Sequence, residues 1–179
     1  MADYTKDPIK YVKDVLWAEL LSNEILDDNN YLIQGTSTKL VPIIPVQQQQ
    51  EFVEYFGDAP FIVYDTDIIE YDTDWWICKE RIYFTIYSNS YSKMREISFL
   101  ILDLFRRFDE SAKDIDTYSR DSSNYSSSVI NDGTFIYHYF AIQGISETDP
   151  SDEEAGRYAN QIDIVMSYSR NVGATGRFA

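Results

Sequence analysis

Hydrophobic residues recur along this chain with two periods, and the switch between them sketches the fold. From Ile9 the apolar positions Val12, Leu16 and Leu20 follow at helical spacing, with Val15 and Leu21 widening the face. Asp7 ahead of Pro8 offers an N-cap acceptor and a proline at the first helical position. The spacing therefore predicts a helix from Pro8 that ends near the polar cluster Asp27–Asn30. A second helical run passes through Met94, Ile97, Ile101, Leu104, Phe105 and Phe108, after the capping sequence Ser88-Asn89-Ser90. Phe99, Leu100 and Leu102 make this helix apolar beyond one stripe. That predicts a sheet on one side and a further partner, such as a neighbouring subunit, on the other. Arg106 and Arg107 stand near its end, where a cation suits the helix dipole.

The period of two marks the strands. Pro60-Phe61-Ile62-Val63-Tyr64 reads as a short strand that opens with proline, where proline is tolerated. Asp65 to Asp74 alternates acidic and apolar residues and predicts a twisted strand or a hairpin connection. Trp75 to Ser88 predicts a long strand with Ile82, Phe84 and Ile86 on one face. Val129 to Ile145 predicts another, in which Phe135, Tyr137 and Tyr139 alternate with Ile136, His138 and Phe140. Arg157 to Ser169 is the last, with Ile162, Ile164 and Met166 facing one way.

Between these lie less regular stretches. Leu40 to Val46 is apolar but holds Pro42 and Pro45, so it predicts an edge strand or an extended arm. Gly35 to Thr38 reads as a loop and Glu51 to Phe56 as a single helical turn. The Ser-rich stretch from Asp114 to Ser128 and the acidic stretch from Ser146 to Gly156 read as surface loops. Residues 171–179, NVGATGRFA, read as a flexible tail without an acid. The order is helix, extended arm, strand, strand, helix, strand, strand. It predicts one α+β domain over residues 1–170, with an antiparallel or mixed sheet of four to six strands against two main helices.

Composition narrows what such a domain does. A net charge of -15 argues against contact with nucleic-acid phosphates or an anionic membrane, which both need Lys and Arg. It fits solubility, a halotolerant source, or a wall that lies near DNA without adhering to it. Fifteen tyrosines suit strand faces and protein interfaces. The first residues hold no apolar signal region, and no apolar run approaches a bilayer's thickness, so a soluble protein made in a cytoplasm is expected.

Chemistry-bearing residues are few. Cys78 is a single cysteine in an aromatic strand and reads as a small buried hydrophobe. His138 is the one histidine and reads as structural. Nucleophile elbows, phosphate loops and dinucleotide fingerprints are missing from the sequence. The acids Asp65, Asp67, Asp72 and Asp74, and Asp149, Asp152, Glu153 and Glu154, lack the spacing of a calcium loop and read as solvated. No enzyme, cofactor or metal is expected, and a carboxylate-dependent metal enzyme ranks last among the readings.

Four motifs carry a resemblance. PFIVY at 60–64 leads into a long strand that ends in TIYSNSY at 85–91, and a helix runs from REI at 95–97 to LDLF at 102–105. This pattern resembles the tail terminator and tail-completion family of long-tailed bacteriophages. The resemblance spans about residues 7–168 in element order, and its specific part is the segment 60–108. It implies a homo-oligomeric ring, usually a hexamer, that caps the tail tube, ends its polymerisation and meets the head connector. The implied partners are the tube protein, the sheath protein and the neck or connector proteins, with DNA passing through unbound and no membrane. The implied place is the virion, assembled in the host cytoplasm. A head–tail joining (neck) protein, and a small acidic binding module or nucleic-acid mimic, are the alternatives.

On that reading the subunit or tube contacts fall on Leu40, Val41, Ile43, Ile44, Phe99, Leu102, Arg106, Arg177 and Phe178. The lumen or mating face falls on Asp65, Asp67, Asp72, Asp74, Asp152, Glu153 and Glu154.

Overall fold

A computed structural model describes residues 7–34, 38–49, 57–71, 77–117, 133–148 and 157–170. Three helices and two sheets appear among them: α1 (Pro8–Ser22), β1 (Leu32–Gln34), β2 (Thr38–Leu40), β3 (Ile43–Pro45), β4 (Phe61–Tyr71), β5 (Cys78–Ser88), α2 (Tyr91–Phe105), α3 (Asp109–Thr117), β6 (Phe135–Thr148) and β7 (Tyr158–Arg170). β1 and β2 form a small hairpin, and the main sheet runs β3-β4-β5-β7-β6. Among the described strands only β3 and β4 pair in parallel; the other pairs are antiparallel. The α+β arrangement with a mixed five-stranded sheet is the expected one, with three helices where two main ones were expected.

The two central strands follow their alternation. On β5, Ile82, Phe84 and Ile86 are fully buried, and on β7, Ile162, Ile164 and Met166 are too. Register places Ile82 opposite Ile164 and Phe84 opposite Ile162, so these side chains share one face. The helices close that face. α1 contributes Ile9, Val12, Val15, Leu16 and Leu20, α2 contributes Met94, Ile97, Ile101 and Phe105, and α3 contributes Ala112 and Ile115 to one cluster. Burying each large side chain contributes roughly 1.5–3 kcal/mol, so this layer holds the domain together. Phe105 stacks between Phe84 and Phe140, with ring centres 6.3 and 5.0 Å away.

Helix ends obey local chemistry. The Asp7 carboxylate accepts the Ile9 N–H at 3.0 Å, and Ser90 Oγ accepts the Lys93 N–H. α1 stops at Ser22, short of the expected 27–30. Glu24 takes a left-handed φ of 56°, its N–H bonds Leu21 O, and the Ile25 N–H bonds Leu20 O. This pattern satisfies the last carbonyls without glycine.

Three further expectations are sharpened or changed. β4 continues through Asp65 and Asp67 to Tyr71, so of the two alternatives for the acidic run the strand holds to Tyr71, and it is continuous with the short strand expected before it. The acids fit a strand because each has a local partner. Asp65 accepts the Thr66 N–H, Asp67 accepts the Tyr83 O–H, and Glu70 pairs with Lys79 at 2.7 Å. Asp114 to Thr117, expected as loop, ends α3, because Ser111, Ala112 and Ile115 reach the core at helical spacing. The alternation expected in β6 breaks at His138, where a bulge shifts the register between Tyr137 and Tyr139 and brings Phe140 into the core. The expected turn at Glu51–Phe56, most of the Ser-rich and acidic loops, and the 171–179 tail lie outside the described residues.

Candidate functional site

Two exposed surfaces stand out among the described residues, one on α2 and one on β4. The first lies on α2. Met94, Ile97, Ile101 and Phe105 turn this helix toward the sheet, which leaves Phe99 on the far side at 56% exposure. Leu100 and Leu102 flank it, half-buried. Ile25 arrives from the C-terminal turn of α1, and Ile142 from β6, and together they wall a groove of about 520 Å³. Its charged rim is locally balanced. Glu96 pairs with Lys93 at 2.7 Å, and Asp103 with Arg106 at 2.8 Å. Arg95 lies over the Phe99 ring at 5.0 Å and holds it as a raised edge. An apolar floor with internally paired charges is suited to another protein surface, because docking there strands no unpaired ion.

The second surface is the half of β4 beyond β3. β3 pairs only with Ile62, Val63 and Tyr64. Asp67, Ile68, Ile69 and Glu70 are all exposed. Asp65 and Asp67 point to the sheet face opposite the helices, where register sets them against Tyr83 and Arg81. There Tyr83 Oη donates to Asp67 at 3.1 Å, Arg81 donates to Tyr83 at 3.4 Å, and Gln161 donates to Asp163 at 2.8 Å. The hydrogen bond to Tyr83 is the main cause that raises the Arg81 pKa, with Asp163 and Asp67 adding to it.

Three of the expected contact residues, Phe99, Leu102 and Arg106, meet in the α2 groove. Four are drawn into the fold, Ile43 and Ile44 fully and Leu40 and Val41 in part. Ile43 and Ile44 are buried within their own chain, Leu40 packs on the Ile44, Phe61 and Val63 cluster, and Val41 packs on the main core. Of the two expectations for this run, an edge strand or an extended arm, the edge strand holds: β3 lies at the edge of the main sheet and pairs with β4. Asp65 and Asp67 share one strand face. Asp72, Asp74, Asp152, Glu153, Glu154, Arg177 and Phe178 lie outside the described residues. Ile25 and Ile142 complete the groove but stand far from α2 in sequence, so no helical period points to them. Ile68 and Ile69 sit within the acidic run that read as a twisted strand or a hairpin connection.

Buried chemistry is confined to the sheet's inner face. Glu80 is buried and accepts the Tyr168 O–H at 2.8 Å, beside the buried Cys78. Burial raises the Glu80 pKa, the Tyr168 bond opposes it, and Asp7 adds to the rise. Burial likewise pushes the Tyr168 and Tyr137 hydroxyls well above the ordinary phenol range. His138 is exposed, with Nε2 3.1 Å from Ser169 Oγ. Among the described residues no three acids, histidines or cysteines gather as a metal site. None of their helices is long and apolar enough to cross a membrane.

No known protein family and no curated protein matches this chain.

Proposed function

We propose that this protein is a structural ring subunit of a long-tailed bacteriophage, of the tail terminator or tail-completion kind. It caps the tail tube, ends its polymerisation and presents a face to the head connector. The carrying observation is that the chain has two unlike exposed surfaces: the groove lined by Phe99, Leu102 and Ile142, and the β4 segment Asp67–Glu70. A head-to-tail ring needs two different patches on each copy, whereas a two-fold dimer needs one self-complementary patch.

Charge supports the same reading. At a net charge of -15, a ring wall repels DNA that passes through it. The Asp65 and Asp67 face is the candidate for that wall. The partners are then further copies of the chain, the tube protein, the sheath protein in a contractile tail, and the neck proteins. The place is the virion, after assembly in the host cytoplasm. The role is structural, with no catalytic step.

Light scattering behind size exclusion, with negative-stain microscopy of the same fraction, tests this. The expected result is a ring of roughly six chains with a central channel. A monomer at every concentration that binds a basic protein in place of nucleic acid would favour the acidic binding module instead.

A further inference from the structure

β4 is 11 residues long, yet β3 pairs with only three of them. The short turn Val46–Gln48 that follows β3 still touches β4, and beyond it Asp67 to Glu70 are exposed. No described strand lies along the outer side of that stretch. A bare strand edge offers main-chain donors and acceptors to any strand that can reach it. Ile68 and Ile69 are 54% and 48% exposed, so the edge also carries apolar area that water does not favour.

The charges make this edge selective. Asp65, Asp67 and Glu70 fall within six residues. A second β4 laid against it would set acid against acid, which disfavours pairing of the edge with itself. The matching strand is free of acids, bears a cation and has apolar side chains. Residues 171–179, NVGATGRFA, meet all three conditions with Arg177, Val172 and Phe178. They follow β7 directly, at the end of the sheet where Tyr168 and Tyr71 both lie opposite Cys78. The bare half of β4 ends there too. Nine extended residues span about 30 Å, enough to leave one copy and pair with the next.

We propose that residues 171–179 of one copy add as a strand to the bare β4 edge of the neighbouring copy. Neighbours in a strand point to opposite faces, as do Asp67 and Ile68 on β4. Arg177 then meets the carboxylates of Asp65 and Asp67, and Phe178 meets Ile68. The contact is head-to-tail, because the donated strand and the accepting edge are different parts of each copy. It deepens the ring reading and rests on it for the source of the strand.

The test uses the full-length chain with a benzophenone amino acid in place of Phe178, prepared as an equal mixture of ordinary and ¹⁵N-labelled copies. After irradiation, mass spectrometry is expected to find mixed-isotope crosslinks to residues 65–71. Adding Arg177→Glu or Asp67→Lys is expected to cut their yield at least fivefold, with the far-ultraviolet dichroism unchanged. Crosslinks confined to single copies, crosslinks to the α2 groove, or a yield no higher than in denaturant would each overturn the proposal. A ring seen by light scattering without the 65–71 crosslink sinks the strand exchange and leaves the ring reading standing. Loss of the ring itself, in the unsubstituted chain, sinks the ring reading.

Discussion

The two edges of the main sheet are finished differently. At β6, the turn between α2 and α3 and α3 itself lie along the strand. Asp116 accepts the Tyr137 N–H at 3.1 Å, the Phe108 carbonyl accepts the Phe140 N–H at 3.3 Å, and the Phe108 ring stacks on Tyr139 at 4.6 Å. Phe108 holds a left-handed φ of 53° to do this, a conformation that costs a bulky residue of order 1–3 kcal/mol. At β4, three residues of β3 are the only described strand cover. The Tyr137–Phe140 stretch of β6 is covered at the cost of a strained backbone, whereas the Asp67–Glu70 stretch of β4 has no described strand or helix along its outer side, which distinguishes a structural stretch of edge from one kept for a partner.

The sharpest way to break the contrast is to attack the sealed side from within. Phe140→Ala empties a fully buried site between Phe105 and Tyr137 and is expected to lower stability by about 3–5 kcal/mol in urea unfolding. A loss under 1 kcal/mol would mean that β6 is not anchored as described. Asp116→Ala tests the seal itself. It leaves the Tyr137 N–H short of its acceptor and is expected to cost about 1–2 kcal/mol, with faster amide exchange at Tyr137.

Glu80 lies between the two edges, paired in register with Ile68 on β4 and Met166 on β7. Its raised pKa means that the protonated form suits the folded chain better than the ionised one. Its contribution is therefore full below the ordinary carboxylate range and is lost as pH rises through the raised value. Glu80→Gln is expected to stabilise the chain at pH 7, and the gain should vanish in acid. Thermal melts of both proteins across that range check the sign. The smallest effect on folding is expected at the open edge. Ile69→Lys should change stability by no more than about 0.5 kcal/mol yet abolish self-association in light scattering.

How legible each part was follows from the same physics. β5 is readable because it keeps a strict period of two through Ile82, Phe84 and Ile86, and β7 because Ile162, Ile164 and Met166 hold one face. Asp7-Pro8 and Ser90 mark their helices through caps that act locally. α3 escapes notice because DESAKDIDT buries only Ser111, Ala112 and Ile115, too few apolar positions to set a period. β4 is split into a short strand and an ambiguous acidic run by the rule that Asp avoids strands, which fails where Tyr83, Lys79 and the Thr66 N–H receive the acids. Bulges at His138 and Gln143 shift β6 off its pattern. Of the candidate site, Phe99 and Leu102 are visible as surplus apolar positions on α2. The walls Ile25 and Ile142 are not, because only the tertiary fold brings them there.

Hydrogen exchange on the full-length chain, read at two concentrations that bracket self-association, tests the contrast between the edges most directly. The account predicts that those amides between Asp67 and Glu70 that face away from β5 exchange quickly in the dilute sample and slow at least tenfold in the concentrated one. Those of Tyr137 and Phe140 should stay slow in both. Protection of those outward Asp67–Glu70 amides that is already complete in the dilute monomer, or that does not change when copies associate, would contradict it.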